Sequence, residues 1–152
     1  MSEATNFSAN AKPVAIACDH AGLVLKSALT QHLQAQGVTL LDLGTHNADS
    51  VDYPDFADAM AKALADGKAE QGILICGSGI GISIAANRHR HVRAALCQCE
   101  LAARLSRQHN NANVLVLGAR LIGEDIAKAC ATQFLATEFE GGRHERRVAK
   151  MS

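Results

Sequence analysis

Aromatic side chains make up only 3% of this 152-residue sequence, with no tryptophan and a single tyrosine. Hydrophobic residues nevertheless reach 48%, so the core must be built from Ala, Val, Ile and Leu. That palette suits close strand–helix packing in an α/β fold. Net charge is missing as well. Fifteen basic residues balance fifteen acidic ones, which gives no support for non-specific nucleic-acid binding. There is no C-x-x-C pair, and the five cysteines are odd in number. The pattern fits a reduced cytoplasmic protein better than a disulfide framework. No run approaches the roughly 18 apolar residues of a transmembrane helix. The first 12 residues are small and polar, without the apolar stretch of a signal peptide. They read as a disordered leader. Residues 13–152 read as one domain, with no internal repeat, low-complexity linker or second domain.

The chain does contain a regular alternation of short apolar runs and longer amphipathic ones. Val14–Cys18, Val38–Leu43, Ile73–Cys76, Arg93–Cys97 and Val114–Gly118 are strand candidates. Leu23–Gln36, Asp55–Ala65, Ile82–Asn87, Glu100–Arg107 and Gly123–Ala136 are the helices between and after them. Five βα units in a row predict a parallel sheet with right-handed crossovers and helices on both faces. The fold class is therefore α/β: a single-domain, three-layer αβα sandwich around a five-stranded Rossmann-like (flavodoxin-like) sheet. Ligands in such sheets bind beyond the carboxyl ends of the strands. With strand order 2-1-3-4-5, Asp19 and His20 fall beside the loop of the third strand. The loop before the fifth strand is expected to bring His109, Asn110 and Asn111 to the same edge.

The run Ile73-Leu74-Ile75-Cys76-Gly77-Ser78-Gly79-Ile80-Gly81 carries the most information. A buried strand ends at a glycine-rich turn that opens a helix, so several backbone N–H groups converge with the positive end of a helix dipole. Cys76 stands at the edge of that field, where a thiol loses its proton more easily than in water. Two plainer readings compete: a tight turn that lets the helix pack, and an inert core cysteine. A dinucleotide fingerprint is disfavoured, because Ile82 occupies the position of the third glycine and the loop follows the third strand. Cys18 also ends a strand, but Asp19 opposes its ionisation, so it reads as structural; Cys97, Cys99 and Cys130 read likewise. Asp19-His20 serves equally as a turn cap and as a site. His89-Arg90-His91 reads as a solvated turn. In the basic tail, roughly 141–152, Arg143 and Arg147 are four apart, so a helical tail would put both on one face. They form either a solvated basic patch or a clamp on a phosphate, with Arg120 as a third cation.

Five segments together resemble the ribose-5-phosphate isomerase B family of sugar-phosphate isomerases. They are Cys18-Asp19-His20-Ala21-Gly22, Asp52-Tyr53-Pro54-Asp55, Ile75 to Ser83, Ser106 to Asn111 and Glu140-Gly141-Gly142-Arg143-His144, in order from Val14 to Val148. The resemblance implies a metal-free, cofactor-free enzyme interconverting ribose 5-phosphate and ribulose 5-phosphate, in the non-oxidative branch of the pentose phosphate pathway. It implies Cys76 as the base between C1 and C2 and His109 as the ring-opening proton donor; on chemical grounds the Ser78 hydroxyl is expected to relay a proton between O1 and O2 of an enediolate. Asp19, His20, Gly77, Ser78, Gly79, Ile80, Gly81, Asn110, Arg120, Arg143 and Arg147 are implied as substrate contacts, the tail arginines at its phosphate. Many relatives carry threonine at Ser78, and some use a carboxylate base where Ser83 stands, which leaves Cys76 as the local base. Family members are dimers or dimers of dimers with shared sites. Alternatives are a hexose 6-phosphate substrate (allose or galactose), a non-catalytic phosphosugar or nucleotide module, and a metal-dependent hydride shift. The last needs a carboxylate–histidine ligand cluster, which the sequence is not seen to supply.

Overall fold

The computed structural model describes Phe7 and residues 11–152. Most of the expected leader lies outside the described residues; Phe7 within it donates its N–H to the Gln36 carbonyl and packs on the core. Five strands form one parallel sheet: β1 (Val14–Cys18), β2 (Leu40–Asp42), β3 (Gly72–Cys76), β4 (Ala94–Leu96) and β5 (Val114–Gly118). Among the described residues six α-helices accompany them: α1 (Leu23–Ala35), α2 (Tyr53–Ala65), α3 (Ile80–Asn87), α4 (Glu100–Asn110), α5 (Glu124–Ala136) and α6 (Arg143–Ala149). The α/β sandwich is as expected.

The strand order is not. It runs β2-β1-β3-β5-β4, with the last two strands exchanged relative to the flavodoxin-like order. Burial explains the exchange. Every residue of β5 is buried, whereas β4 is three residues long and only half-buried throughout. The fully apolar strand takes the interior position, where both faces are covered, and the short one is left at the edge.

Right-handed crossovers then fix the layers. The steps β1 to β2 and β4 to β5 run one way along the sheet, so α1 and α4 share a face, and α5 joins them. The steps β2 to β3 and β3 to β4 run the other way and put α2 and α3 opposite. Two core clusters match this division. Leu25, Leu29, Leu33, Ala103, Cys130 and Phe134 pack on one face; Ala57, Met60, Ala61, Ile82 and Ala86 pack on the other. The single aromatic among them is Phe134, and the rest are aliphatic or sulfur-bearing, as the composition requires.

The reversal of direction after β1 and β3 opens a crevice between their carboxyl ends, the position where such sheets bind ligands. The His89–His91 turn is not simply solvated: His89 pairs with Asp58 at 2.8 Å and His91 meets the Ala61 carbonyl at 2.7 Å. Both contacts pin the chain beyond α3 to α2. Among the described residues no helix is long and apolar enough to cross a membrane.

Candidate active site

A cleft of about 530 Å³ lies over that crevice, lined by Asp19, His20, Tyr53, Cys76, Ser78 and Arg120 among others. Its size lies within the range of small-molecule sites. A larger, shallower depression of about 1040 Å³ runs along α1, but its buried cation is already committed. Lys26 donates to Asp42 at 2.7 Å and to the Thr45 carbonyl at 2.6 Å.

Cys76 forms the floor of the cleft. Its neighbour Gly79 adopts φ +78°, caps α3, and donates its backbone N–H to the Cys76 sulfur at 3.2 Å. The contact holds the sulfur at the mouth of the glycine bend, beside the N-terminus of α3. Only glycine takes this backbone conformation without strain, and a Cβ there would lie 2.5 Å from the Leu96 side chain. Beneath the loop, β5 passes so close that a Cβ on Gly118 would strike the Ser78 backbone. The bend is therefore packed from both sides.

Ser78 accepts the Ile80 N–H at 3.1 Å, which leaves its hydroxyl hydrogen free to donate into the cleft. The Gly81 amide, in the first turn of α3 and in the cleft lining, precedes the first helical bond, from Ser83 to the Gly79 carbonyl, and is open to a ligand. Asp19 caps the turn His20–Gly22 with one oxygen, accepting from Ala21 at 3.0 Å and Gly22 at 3.2 Å. His20 accepts the Val51 N–H on Nδ1 at 3.2 Å. That bond fixes the tautomer: the ring proton sits on Nε2, and His20 is a donor there. Arg120 is delivered by the exchanged strand order, since β5 lies beside β3. Its N–H binds the Gly77 carbonyl at 2.9 Å and its guanidinium lies over Gly77.

The sequence reading missed Tyr53. It opens α2, lays its ring against the bare Cα of Gly81 and lines the cleft. Its signal was its rarity, as the one tyrosine of an aromatic-poor chain.

His109 and Asn110 require a correction. They belong to the last turn of α4, not to a loop, and α4 ends where β5 begins. A helix in a βα unit runs against its strands, so its carboxyl end lies at the amino edge of the sheet. Cys76 pairs with Gly118 at the far end of β5. Five residues of strand, about 13 Å of rise, separate the two levels. Arg143 and Arg147 gather with His109, because α6 packs on α4 through His144 and Val148 while both arginines face outward. One chain thus holds the implied residues in two groups on opposite edges.

A second correction concerns ligands. The fold does assemble a carboxylate–histidine group: His109, Glu140 and His144 bring ligand atoms within 4.8 Å of one another. The two imidazoles, however, are stacked, with centroids 4.5 Å apart and planes inclined by 15°. Nitrogen lone pairs lie in the ring plane, and near-parallel planes cannot both contain one ion at about 2.0–2.1 Å. As arranged, the group does not fit a metal.

The family model for ribose/galactose isomerases matches residues 14–151. Ribose-5-phosphate isomerase B of Escherichia coli is 46% identical over 137 residues, covering 90% of this chain and 92% of that protein. A crystal structure of a ribose 5-phosphate isomerase from Thermotoga maritima superposes with TM-score 0.89 at 50% identity, covering 91% of this chain and 96% of the other. The Mycoplasma genitalium ribose-5-phosphate isomerase B, solved with bound ribulose 5-phosphate, gives 0.86 at 43% identity, covering 91% and 93%.

Proposed function

The chain belongs to the ribose/galactose isomerase family, and from that membership we propose that it interconverts ribose 5-phosphate and ribulose 5-phosphate. The observation that carries the mechanism is the Gly79 N–H aimed at the Cys76 sulfur on the cleft floor. Cys76 thiolate takes the proton from the carbon next to the carbonyl. The C–H electron pair becomes the new C–C double bond, and the carbonyl pair moves onto oxygen to give an enediolate. Amides of the Gly77–Gly81 loop hold that charge; losing one such donor typically costs about 3–4 kcal/mol. Ser78 passes the hydroxyl proton between O1 and O2, and the Cys76 thiol returns its proton to the other carbon. No step calls for a metal or a cofactor. Asp19, His20 and Arg120 hold the sugar, with the His20 Nε2–H as donor. The five unpaired thiols support a reducing, cytoplasmic setting.

The second group of residues comes from a second copy. Ile80, which lines the cleft with Leu121 and Tyr53, and Ile84, one helical turn further along α3, are exposed by 51% and 58%. Among the described residues, two helices, α2 and α3, cover this face of the sheet. An apolar strip bordering a polar cleft is what a dimer interface needs. Across it, His109 of the partner subunit would open the furanose ring, with Asn110 of the partner subunit beside it. Arg143 of the partner subunit and Arg147 of the partner subunit would grip the phosphate.

Mixing tests both statements. Cys76→Ala and His109→Ala chains should each be inactive on ribose 5-phosphate. Co-refolded, they should regain about a quarter of wild-type activity, because random pairing gives half mixed dimers with one intact site each. No recovery would reject the shared site. A preference for galactose or allose 6-phosphate in the same assay would reassign the substrate.

A further inference from the structure

The residue that seats α6 has no task in this mechanism. His144 lies in the first turn of α6, 7% exposed, and its ring is stacked on that of His109. Its Nε2 is buried without a hydrogen-bond partner, and the nearest carboxylate oxygen, on Glu140, is 3.8 Å away. Buried polar atoms are rarely left unpaired without a compensating reason. The surroundings are built to hold this ring in place. Glu140 donates its backbone N–H to the Gln108 carbonyl at 3.1 Å, tying the incoming chain to α4. Gly141 and Gly142 then turn the chain with positive φ, and His144 donates its N–H to the Gly141 carbonyl at 3.1 Å.

We infer that His144 is a positioning residue: its flat face fixes the plane of the His109 ring and presents the edge of that ring to the furanose oxygen. The inference rests on the proposed role of His109. His109 is the next-to-last residue of α4, where a helix frays and a side chain samples several rotamers. An imidazole clamped on one face keeps the rotation that brings its N–H to the substrate, and loses the others. Burial and the neighbouring Arg143 lower the proton affinity of His144.

The two halves of the reaction separate this role from mere folding. Ribose 5-phosphate is a furanose and must be opened. Ribulose 5-phosphate has its C5 hydroxyl blocked by phosphate and stays open-chain. Cys76 can therefore exchange the C1 proton of ribulose 5-phosphate with solvent without help from His109. We expect His144→Ala to slow conversion of ribose 5-phosphate about tenfold in kcat. Deuterium uptake at C1 of ribulose 5-phosphate, followed by NMR in D2O, should stay within about twofold, as should KM. His144→Phe, which keeps a flat face, should restore at least about half of the lost rate. Equal loss of conversion and exchange, no loss in the alanine variant, no rescue by phenylalanine, or a raised KM in both variants would each overturn the inference. Wild-type protein that neither converts nor exchanges would overturn the proposed function itself, a failure visible before any variant is made.

Discussion

Two adjacent strands, β1 and β3, each run through apolar residues to a buried cysteine, and the two thiols have different fates. Cys18 is followed by Asp19, which turns inward as a cap for the next turn. The Cys18 thiol is fully buried, and burial pushes it up to about 11, with only partial relief from Lys26. Cys76 is followed by Gly-Ser-Gly. The chain bends back at Gly79 and an amide returns to the sulfur at 3.2 Å, on the floor of the cleft. The strands themselves do not distinguish the pair; the three residues after each strand do. A strand end becomes chemical when the following turn spends its donors on the side chain instead of on itself.

The largest effect expected from this contrast is on turnover. Cys76→Ser should lower kcat for ribose 5-phosphate by about 10²–10⁴, the range for a lost general base. Cys18→Ala, measured in the same steady-state assay, should stay within about threefold, since only packing is touched. Comparable losses in both would erase the distinction. A smaller but sharper effect is expected at the bend. Gly79→Ala forces a Cβ onto Leu96 and strains a backbone at φ +78°, so it displaces the donor without removing the sulfur. We expect kcat to fall about 10²-fold with KM little changed, the signature of stabilisation made in the transition state. An unchanged kcat would show that this amide has no part in the chemistry.

The same contrast explains what was legible in the sequence. Strand and helix identities are local, and β1 and β5 match their expected bounds residue for residue. The glycine run after Cys76 announced its bend because only glycine serves there. Strand order is not local. It depends on how completely each strand can be buried, and the half-buried Ala94–Leu96 gave no periodic signal of its place at the edge. That exchange is also why Arg120 meets Gly77. The level of His109 follows from chain direction: a segment that leads into a strand lies at its amino edge, and no residue pattern marks that. The stack of His109 on His144 joins positions 35 residues apart through a glycine turn, and no spacing rule reaches that far.

The smallest expected effect is on alkaline stability, and its sign can be worked out. Burial pushes Cys18 and Cys97 up to about 11 and Cys130 up to about 12, from an ordinary value of 9.0. Below pH 9 each thiol is neutral in both the folded and the unfolded chain, and the stabilisation is complete. Between pH 9 and 11 the unfolded chain loses these protons while the folded chain keeps them. The unfolded state then binds fewer protons, so stability falls as pH rises through this window. Cys18→Ala should begin with a lower Tm at pH 7, because a buried sulfur is removed. Its Tm should then decline less steeply than that of wild type, so the two curves converge by pH 11. Parallel curves would mean that the β1 thiol is no costlier to ionise when folded than when unfolded, and the contrast with β3 would reduce to hydrogen bonding alone.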